Sequence, residues 1–165
     1  MVEIVKSYRQ SMPAMRFVGK RYTDADRVDG HFGALWHEWI SKEWFDVIAK
    51  KVVKKAGWED EESPVGLMCG NGGMFEYRIG RFVPPGTEVP AGFTSLDFPE
   101  RELGVCWLYG NERELFMREE ECAKRLVGEG HKLAGDYCFE RYGHPRFVVP
   151  DEKGNVILDI CFFLE

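Results

Sequence analysis

Two stretches of the sequence carry hydrophobic residues at helical spacing, and the other apolar runs are short and typical of β-strands. From Gly30 onward apolar residues recur three and four positions apart, which predicts one long amphipathic helix ending near Gly57. Its stripe consists of Phe32, Leu35, Trp36, Trp39, Ile40, Phe45, Ile48 and Val52. A second stripe predicts a helix over residues 112–127, with Asn111 as N-cap and Glu114 completing a capping box.

Short apolar runs bounded by glycine, proline and polar turns predict the β-strands. They cover residues 15–22, 65–69, 75–83, 103–109, 137–144 and 156–164, and residues 93–98 form either a short strand or an extended arm between the two halves. The run Gly70-Asn71-Gly72-Gly73 predicts a hairpin turn between the second and third strands, because glycine tolerates positive φ angles. Neither a Lys-Ser/Thr pair nor a helix follows these glycines, so a turn is favoured over a phosphate-binding loop.

The order of the predicted elements is strand, helix, strand, strand, and then the same again. This order predicts an α+β fold of two tandem βαββ repeats in a single domain, residues 1–165. The first repeat covers about residues 1–90 and the second about residues 91–165, with proline-rich segments near their boundary. Because each repeat has one helix for three strands, we expect one largely antiparallel sheet with two main helices on one face and a ligand groove between the repeats.

Composition and charge narrow the classes of partner. The 165 residues carry a formal net charge of −6 and no Lys/Arg cluster with interleaved aromatics, which argues against a nucleic-acid partner. The sequence shows no signal peptide and no bilayer-length apolar run, and its five cysteines are scattered through apolar runs. We therefore expect free thiols and a cytoplasmic protein without a membrane partner. The four histidines lack metal-ligand spacing, so no metal or other cofactor is expected.

The predicted strand at residues 137–144 places a carboxylate within an aromatic run. Strand alternation puts Glu140 and Tyr142 on one face, and Phe139 and Arg141 on the other. A carboxylate among aromatic rings either finds a partner or has its pKa raised by desolvation, and both outcomes are typical of binding sites. The alternative is a solvated Glu140 on an edge strand, paired with a surface arginine. The residues alone leave both interpretations open.

Aromatic residues are spread over both halves of the chain. Those at helical spacing, such as Trp36 and Trp39, are also what a packed core needs. Trp and Tyr nevertheless carry polar groups that require partners, and an aromatic-walled pocket with one acid suits a flat or cationic organic molecule. The candidate ligand-binding residues are Trp36, Trp39, Phe75, Tyr77, Phe98, Trp107, Tyr109, Glu140 and Tyr142.

A series of short motifs runs along most of the chain. They are Phe17-Val18-Gly19-Lys20, Leu35-Trp36-x-x-Trp39, Phe75-Glu76-Tyr77-x-x-Gly80, Val89-Pro90-x-Gly92-Phe93, Val105-Cys106-Trp107-x-x-Gly110, Phe139-Glu140-Arg141-Tyr142 with His144-Pro145-Arg146, and Leu158-Asp159-Ile160-Cys161. In this order they resemble the GyrI-like family, the bacterial effector-binding domain that also occurs fused to AraC-type and MerR-type DNA-binding regions. The resemblance implies a tandem βαββ (SHS2) fold, a ligand groove between the repeats and a ligand-contacting acid at Glu140.

Two features depart from the family pattern. The sequence contains no helix-turn-helix segment, so direct gene regulation by this chain is not expected. The family's acidic Asp-Pro turn after the Glu-x-Tyr unit is His144-Pro145 here, which alters the charge at the rim of the groove. Haem-binding SOUL-like proteins have a related fold, but this sequence shows no axial-ligand pattern for haem.

Two functions are therefore expected. The first is a stand-alone protein that binds aromatic or cationic drug-like compounds, with Glu140 as the key acid. The second is implied by stand-alone GyrI-like proteins that resemble this chain and hydrolyse cyclopropanoid genotoxins. In that reaction Glu140 is the catalytic base that activates water, and Tyr142 donates a hydrogen bond to the substrate carbonyl. Trp36 and Trp107 would stack on the flat body of the substrate.

Overall fold

The computed structural model describes residues 1–70 and 74–165 of the chain. Its strands are β1 Glu3–Met12, β2 Met15–Thr23, β3 Val65–Cys69, β4 Glu76–Val83, β5 Thr94–Phe98, β6 Arg101–Gly110, β7 Leu133–Arg141 and β8 Val156–Leu164. Its α-helices are α1 Gly33–Ser41, α2 Trp44–Ala49 and α3 Glu119–Gly128. Two short 3-10 turns, Asp24–Asp26 and Glu112–Glu114, complete the regular structure. The predicted glycine-rich turn falls mostly on residues 71–73 and so lies outside the described residues.

All eight strands form one antiparallel sheet in the order β1-β6-β8-β7-β3-β4-β2-β5. This confirms the predicted α+β class with a largely antiparallel sheet. Strands β2, β3 and β4 occupy mirror positions to β6, β7 and β8, so the two strand-helix-strand-strand units meet where β3 pairs with β7. We call the β3/β7 pair the seam.

The two outermost strands are exchanged between the units. Strand β1 precedes the first unit but pairs with β6, and β5 precedes the second unit but pairs with β2. Met12 pairs with Arg101 and Met15 pairs with Phe98, so two short connections tie the opposite edges of the sheet together at one end. The sheet is therefore curled. Strand β1 was not predicted, because its residues are mostly polar or exposed and show no apolar run.

The three α-helices pack on one face of the sheet, which we call the helix face. Helices α1 and α2 cover a core that includes Val18, Met68 and Ile79, and α3 covers a core that includes Leu108 and Ile160. On the opposite, curled face a third core is formed by residues that alternate with these. It contains Met12, Met15, Phe17, Trp58, Val65, Leu67, Phe82, Phe98, Leu103, Val105, Phe139, Cys161 and Phe163.

Both predicted helices are shorter than the hydrophobic pattern indicated. The first is broken after α1, because Glu43 adopts a left-handed conformation with φ of 54°. The apolar stripe runs on because α2 packs on the same core as α1. The second helix begins at Glu119 rather than near residue 112, because Met117 has φ of 64° and separates it from the 3-10 turn. Periodicity detects the buried face but does not detect these breaks.

Two further expectations concern compartment and redox state. None of the helices in the described part of the chain is both long and apolar enough to cross a membrane. All five cysteines are free, as predicted, and Cys106, Cys122 and Cys161 are buried.

The backbones of β2 and β4 approach closely at the paired glycines Gly19 and Gly80. A Cβ atom on Gly80 would lie 2.0 Å from the Val18 carbonyl oxygen, and backbone cannot move aside as a side chain can. We expect Gly80→Ala to lower the free energy of unfolding by about 3 kcal/mol or more, measured by urea denaturation. The matched control is Gly128→Ala, where a Cβ meets no neighbour and stability should be unchanged or slightly higher. A Gly80→Ala protein as stable as the wild type would contradict this packing.

Candidate functional site

Glu140 lies on β7 at the seam, between Gly66 of β3 and Ile160 of β8. Its side chain points to the helix face and is only 5% exposed. The solvated edge-strand interpretation is therefore wrong, since β7 has a strand on each side and the carboxyl group is buried. A buried carboxyl group is costly unless hydrogen bonds compensate for the lost water.

The carboxyl group of Glu140 is held by a phenol from the first unit. The Tyr77 hydroxyl on β4 donates to Oε1 of Glu140, and the Trp36 indole Nε1 on α1 donates to the Tyr77 oxygen at 2.8 Å. Glycine at position 66 makes this contact possible, because a Cβ there would lie 2.3 Å from the Tyr77 oxygen and 2.5 Å from Glu140 Oε1. A glycine inside a strand is a known signal of such close approach, and it was the overlooked clue to this site.

Aromatic rings close the space above the carboxyl group. Trp36 contacts Tyr142 in an edge-to-face arrangement at 4.7 Å between ring centroids, and Phe32 stacks on Tyr77 at 4.4 Å. We call Glu140, Tyr77, Tyr142, Trp36 and Phe32 the Glu140 cluster. Trp36 and Tyr142 are its outer rings and are half-buried, whereas Glu140, Tyr77 and Phe32 are buried beneath them.

Burial dominates the electrostatics of the cluster. Burial raises the pKa of Glu140 to about 7. Hydrogen bonds from Tyr77 and Tyr142 oppose this shift, and the negative charge of Glu119 adds to it. Burial and the adjacent carboxylate also raise the pKa of both phenols well above the ordinary tyrosine value, so both remain protonated donors. Across residues 1–70 and 74–165, Glu140 forms no salt bridge. Its negative charge, when present, is stabilised only by neutral donors.

Two other candidate residues lie on the helix face but do not touch Glu140. Trp39 is fully buried beneath α1, donates to the Tyr22 hydroxyl at 2.9 Å and packs against Trp44 and Phe45, so it serves the core. Phe75 is half-buried beside the cluster, with its ring centroid 6.2 Å from that of Phe32.

Phe98, Trp107 and Tyr109 do not lie at the seam with Glu140, which corrects the expected grouping. Phe98 belongs to the core of the curled face, and Trp107 packs edge-to-face against Tyr8 on the same side. Tyr109 shares the Trp107 face of β6 and donates to Asp151. The period of a strand shows which residues share a face, but not which of the two faces meets the helices.

The arginine next to Glu140 has its own partners on the curled face. Arg141 is completely buried and its Nε donates to Asp159 at 2.8 Å. Arg146 pairs with the same Asp159, and both arginines pair with Asp60. These four residues balance two positive charges with two negative ones. Arg141 is therefore not available to neutralise Glu140.

Comparison with known proteins identifies the fold. No protein-family model and no curated protein sequence matches the chain. Among solved structures, SAV2435 bound to tetraphenylphosphonium matches with a TM-score of 0.67 and 13% identity over 98% of this chain and 94% of that chain. The EcmrR C-terminal domain matches with a TM-score of 0.63 and 10% identity, and 97% of each chain is covered. A hydrolase from Listeria innocua matches with a TM-score of 0.55 and 14% identity over 97% of this chain and 92% of that chain. At these identities the similarity shows that this chain shares its fold with these proteins.

The raised pKa of Glu140 predicts a specific dependence of stability on pH. The ordinary value is 4.5 and the folded value is about 7, so between these pH values the folded protein holds a proton that the unfolded chain releases. Stability from this group is therefore lost as pH rises through that window. We expect the wild type to lose about 3 kcal/mol relative to Glu140→Gln between pH 4 and pH 8, at about 1.4 kcal/mol per pH unit.

This expectation is checked by urea denaturation of both proteins at several pH values. The control is Glu100→Gln, which replaces an exposed carboxylate and should leave the difference from wild type nearly constant. A constant difference for Glu140→Gln would mean that the Glu140 carboxyl group titrates as it does in water.

Proposed function

We propose that the chain is a small-molecule-binding protein of the GyrI-like kind that takes aromatic cations against Glu140. The observation that carries this proposal is the buried carboxyl group surrounded by aromatic rings and held only by neutral donors. A cation in contact with Glu140 gains a charge-assisted partner, and the faces of Trp36 and Tyr142 add cation–π attraction. Structural similarity to SAV2435, which was solved with tetraphenylphosphonium, supports the same choice of ligand chemistry.

Access to Glu140 requires the outer rings of the cluster to separate. Moving Trp36 breaks its hydrogen bond to Tyr77, which costs about 0.5–1.5 kcal/mol net. The gain is larger, because a desolvated cation–carboxylate contact contributes about 1.5–3 kcal/mol and each ring contact adds about 0.5–2 kcal/mol. An aromatic cation can therefore open the cluster, whereas a neutral aliphatic molecule offers no such compensation.

Tetraphenylphosphonium titration tests this proposal. Binding should quench the fluorescence of Trp36, and Glu140→Gln should weaken binding by about 1–2 kcal/mol, which is roughly tenfold. Affinity for the wild type should also rise with pH through about 7, because the carboxylate form binds the cation. The matched control is Trp107→Phe on the curled face, which should bind as the wild type does. Equal affinity of Glu140→Gln and wild type at pH 8 would contradict a role for Glu140 in binding.

A second function is favoured by the pKa of Glu140. A carboxyl group with a pKa of about 7 is matched to general-base catalysis at neutral pH, and Tyr77 and Tyr142 are protonated donors beside it. In hydrolysis of an activated cyclopropane, Glu140 accepts a proton from water as the oxygen bonds to a ring carbon. The breaking C–C bond delivers its electron pair to the conjugated carbonyl, whose oxygen accepts a hydrogen bond from Tyr142. The proton then returns to the opened product.

Turnover separates this enzyme from a binding protein. With a duocarmycin-like substrate, an enzyme forms ring-opened product beyond one equivalent, and Glu140→Gln should lower the rate by roughly 10²–10⁴. Tyr142→Phe should lower the rate and Trp107→Phe should leave it unchanged, measured by chromatography of the product against time. Product that stops at one equivalent would exclude the hydrolase function and leave the binding function standing, whereas full turnover by Glu140→Gln would exclude Glu140 as the catalytic base.

A further inference from the structure

A positively charged side chain covers the aromatic layer beside the Glu140 cluster. The guanidinium carbon of Arg27 lies 4.4 Å from the ring centroid of Phe32 and 5.2 Å from that of Phe75. Arg27 follows the 3-10 turn Asp24–Asp26 and precedes α1, so it belongs to the loop that also carries Phe32. The two rings thus present a cation-binding surface that is already occupied.

The position of Arg27 is held by polar contacts of its own loop. Its Nε donates to Asp24 Oδ1 at 2.8 Å, and its Nη1 donates to the Gly30 carbonyl oxygen at 3.1 Å. The backbones of Val28 and His31 pair with each other and close the loop between these contacts. Two hydrogen bonds and two ring contacts therefore keep the guanidinium over Phe32 rather than in solvent.

Phe32 links this surface to the buried acid. Tyr77 stacks almost parallel to Phe32, with 4.4 Å between ring centroids and 5° between planes. Arg27 also lies over the Phe32 ring, with its guanidinium carbon 4.4 Å from the ring centroid. The Tyr77 hydroxyl then donates to Glu140. One stack thus runs from Arg27 through two rings to the carboxyl group.

This arrangement places a second cation-binding surface next to the Glu140 cluster, with Phe32 common to both. The first cation position is at Glu140 beneath the outer rings, and the second is the surface of Phe32 and Phe75 that Arg27 occupies. A ligand with one positive charge needs only the first position. A short rigid ligand with two positive charges would need both, and its second charge would meet the guanidinium both as a competitor for the rings and as a like charge.

We propose that Arg27 is a specificity-determining residue that restricts the Glu140 cluster to ligands with a single positive charge. The inference rests on the proposed binding of aromatic cations at Glu140. Arg27 acts by filling the adjacent aromatic surface with a cation of the protein's own, so that a second ligand charge finds neither a free ring face nor an unpaired carboxylate there, since Asp24 is already paired with Arg27. Removing the guanidinium turns that surface into a second cation subsite.

Two probes of nearly equal shape test the proposal. Methyl viologen carries two positive charges on a two-ring skeleton, and N-methyl-4-phenylpyridinium carries one charge on a similar skeleton. The wild type should favour the singly charged probe. Arg27→Gln should raise the affinity for methyl viologen about tenfold while changing the affinity for the singly charged probe less than about threefold, measured by calorimetry.

Lys20 offers a matched control. Its Nζ lies 4.4 Å from the Trp44 ring centroid and 4.7 Å from that of Phe93, so Lys20→Gln removes the same charge from a similar pair of rings. Those rings do not touch Phe32 or Tyr77. This variant should leave the ratio of the two affinities within about threefold of the wild-type ratio.

A second variant keeps the test decisive if Arg27→Gln does not fold. Asp24→Asn removes the exposed carboxylate that anchors Arg27, so the guanidinium can leave the rings. Its expected effect is a gain of about threefold for methyl viologen relative to the singly charged probe. Loss of the Asp24 charge by itself would weaken both cations, so a selective gain is diagnostic.

The outcomes separate this inference from the function on which it rests. If the singly charged probe binds the wild type and Glu140→Gln weakens it, but Arg27→Gln and Asp24→Asn leave the affinity ratio unchanged, Arg27 does not determine specificity. If neither probe binds the wild type in a manner that depends on Glu140, the proposed function itself fails. A gain for methyl viologen that Lys20→Gln reproduces equally would also overturn the role of Arg27, because it would reflect net charge alone.

Discussion

The burial of one carboxyl group at the seam constrains much of the helix face. Glu140 is buried to 5% exposure, and an unsatisfied carboxylate in that position would cost several kcal/mol. The Tyr77 hydroxyl that satisfies it comes from the first unit, and the Trp36 indole that fixes Tyr77 comes from α1. Gly66 provides the space for the contact. The acid therefore links one helix and three strands drawn from both halves of the chain.

Strand β7 keeps a carboxyl group and a guanidinium group apart. Glu140 and Arg141 are neighbours in sequence, yet strand alternation directs them to opposite faces of the sheet. Arg141 is neutralised by Asp159 and Asp60, and Arg146 joins the same group from the segment after β7. Removing any one of these four side chains would leave an uncompensated buried charge. The ion pairs therefore favour one arrangement of the segments that carry them. Among the residues that the structure describes, the carboxyl group of Glu140 is thereby left without a cationic partner, as the proposed site for a ligand cation requires.

Local periodicity was sufficient to predict part of this site. Glu140 and Tyr142 share a face because they are two residues apart, and Trp36 faces the core because it lies on the apolar stripe of α1. The contact of Tyr77 with Glu140 depends on β3 lying between β4 and β7 in a particular register, which no local pattern contains. Trp107 was grouped with Glu140 although it lies on the opposite face, since alternation alone does not orient a strand. The fold was easier to predict, because the order of strands and helices restricts the topology more than it restricts individual contacts.

The exchange of the outer strands affects how the protein is made. Strand β1 leaves the ribosome before β2 to β5, but it pairs with β6, which is synthesised after all of these strands. Pairing across such a long sequence separation makes folding slow, and until β6 emerges β1 has no native neighbour. Its exposed Glu3, Lys6 and Arg9 suit this interval, because charged side chains on an unpaired strand oppose association with other nascent chains. The polar character that concealed β1 from the hydrophobic pattern therefore also protects the newly made chain from aggregation.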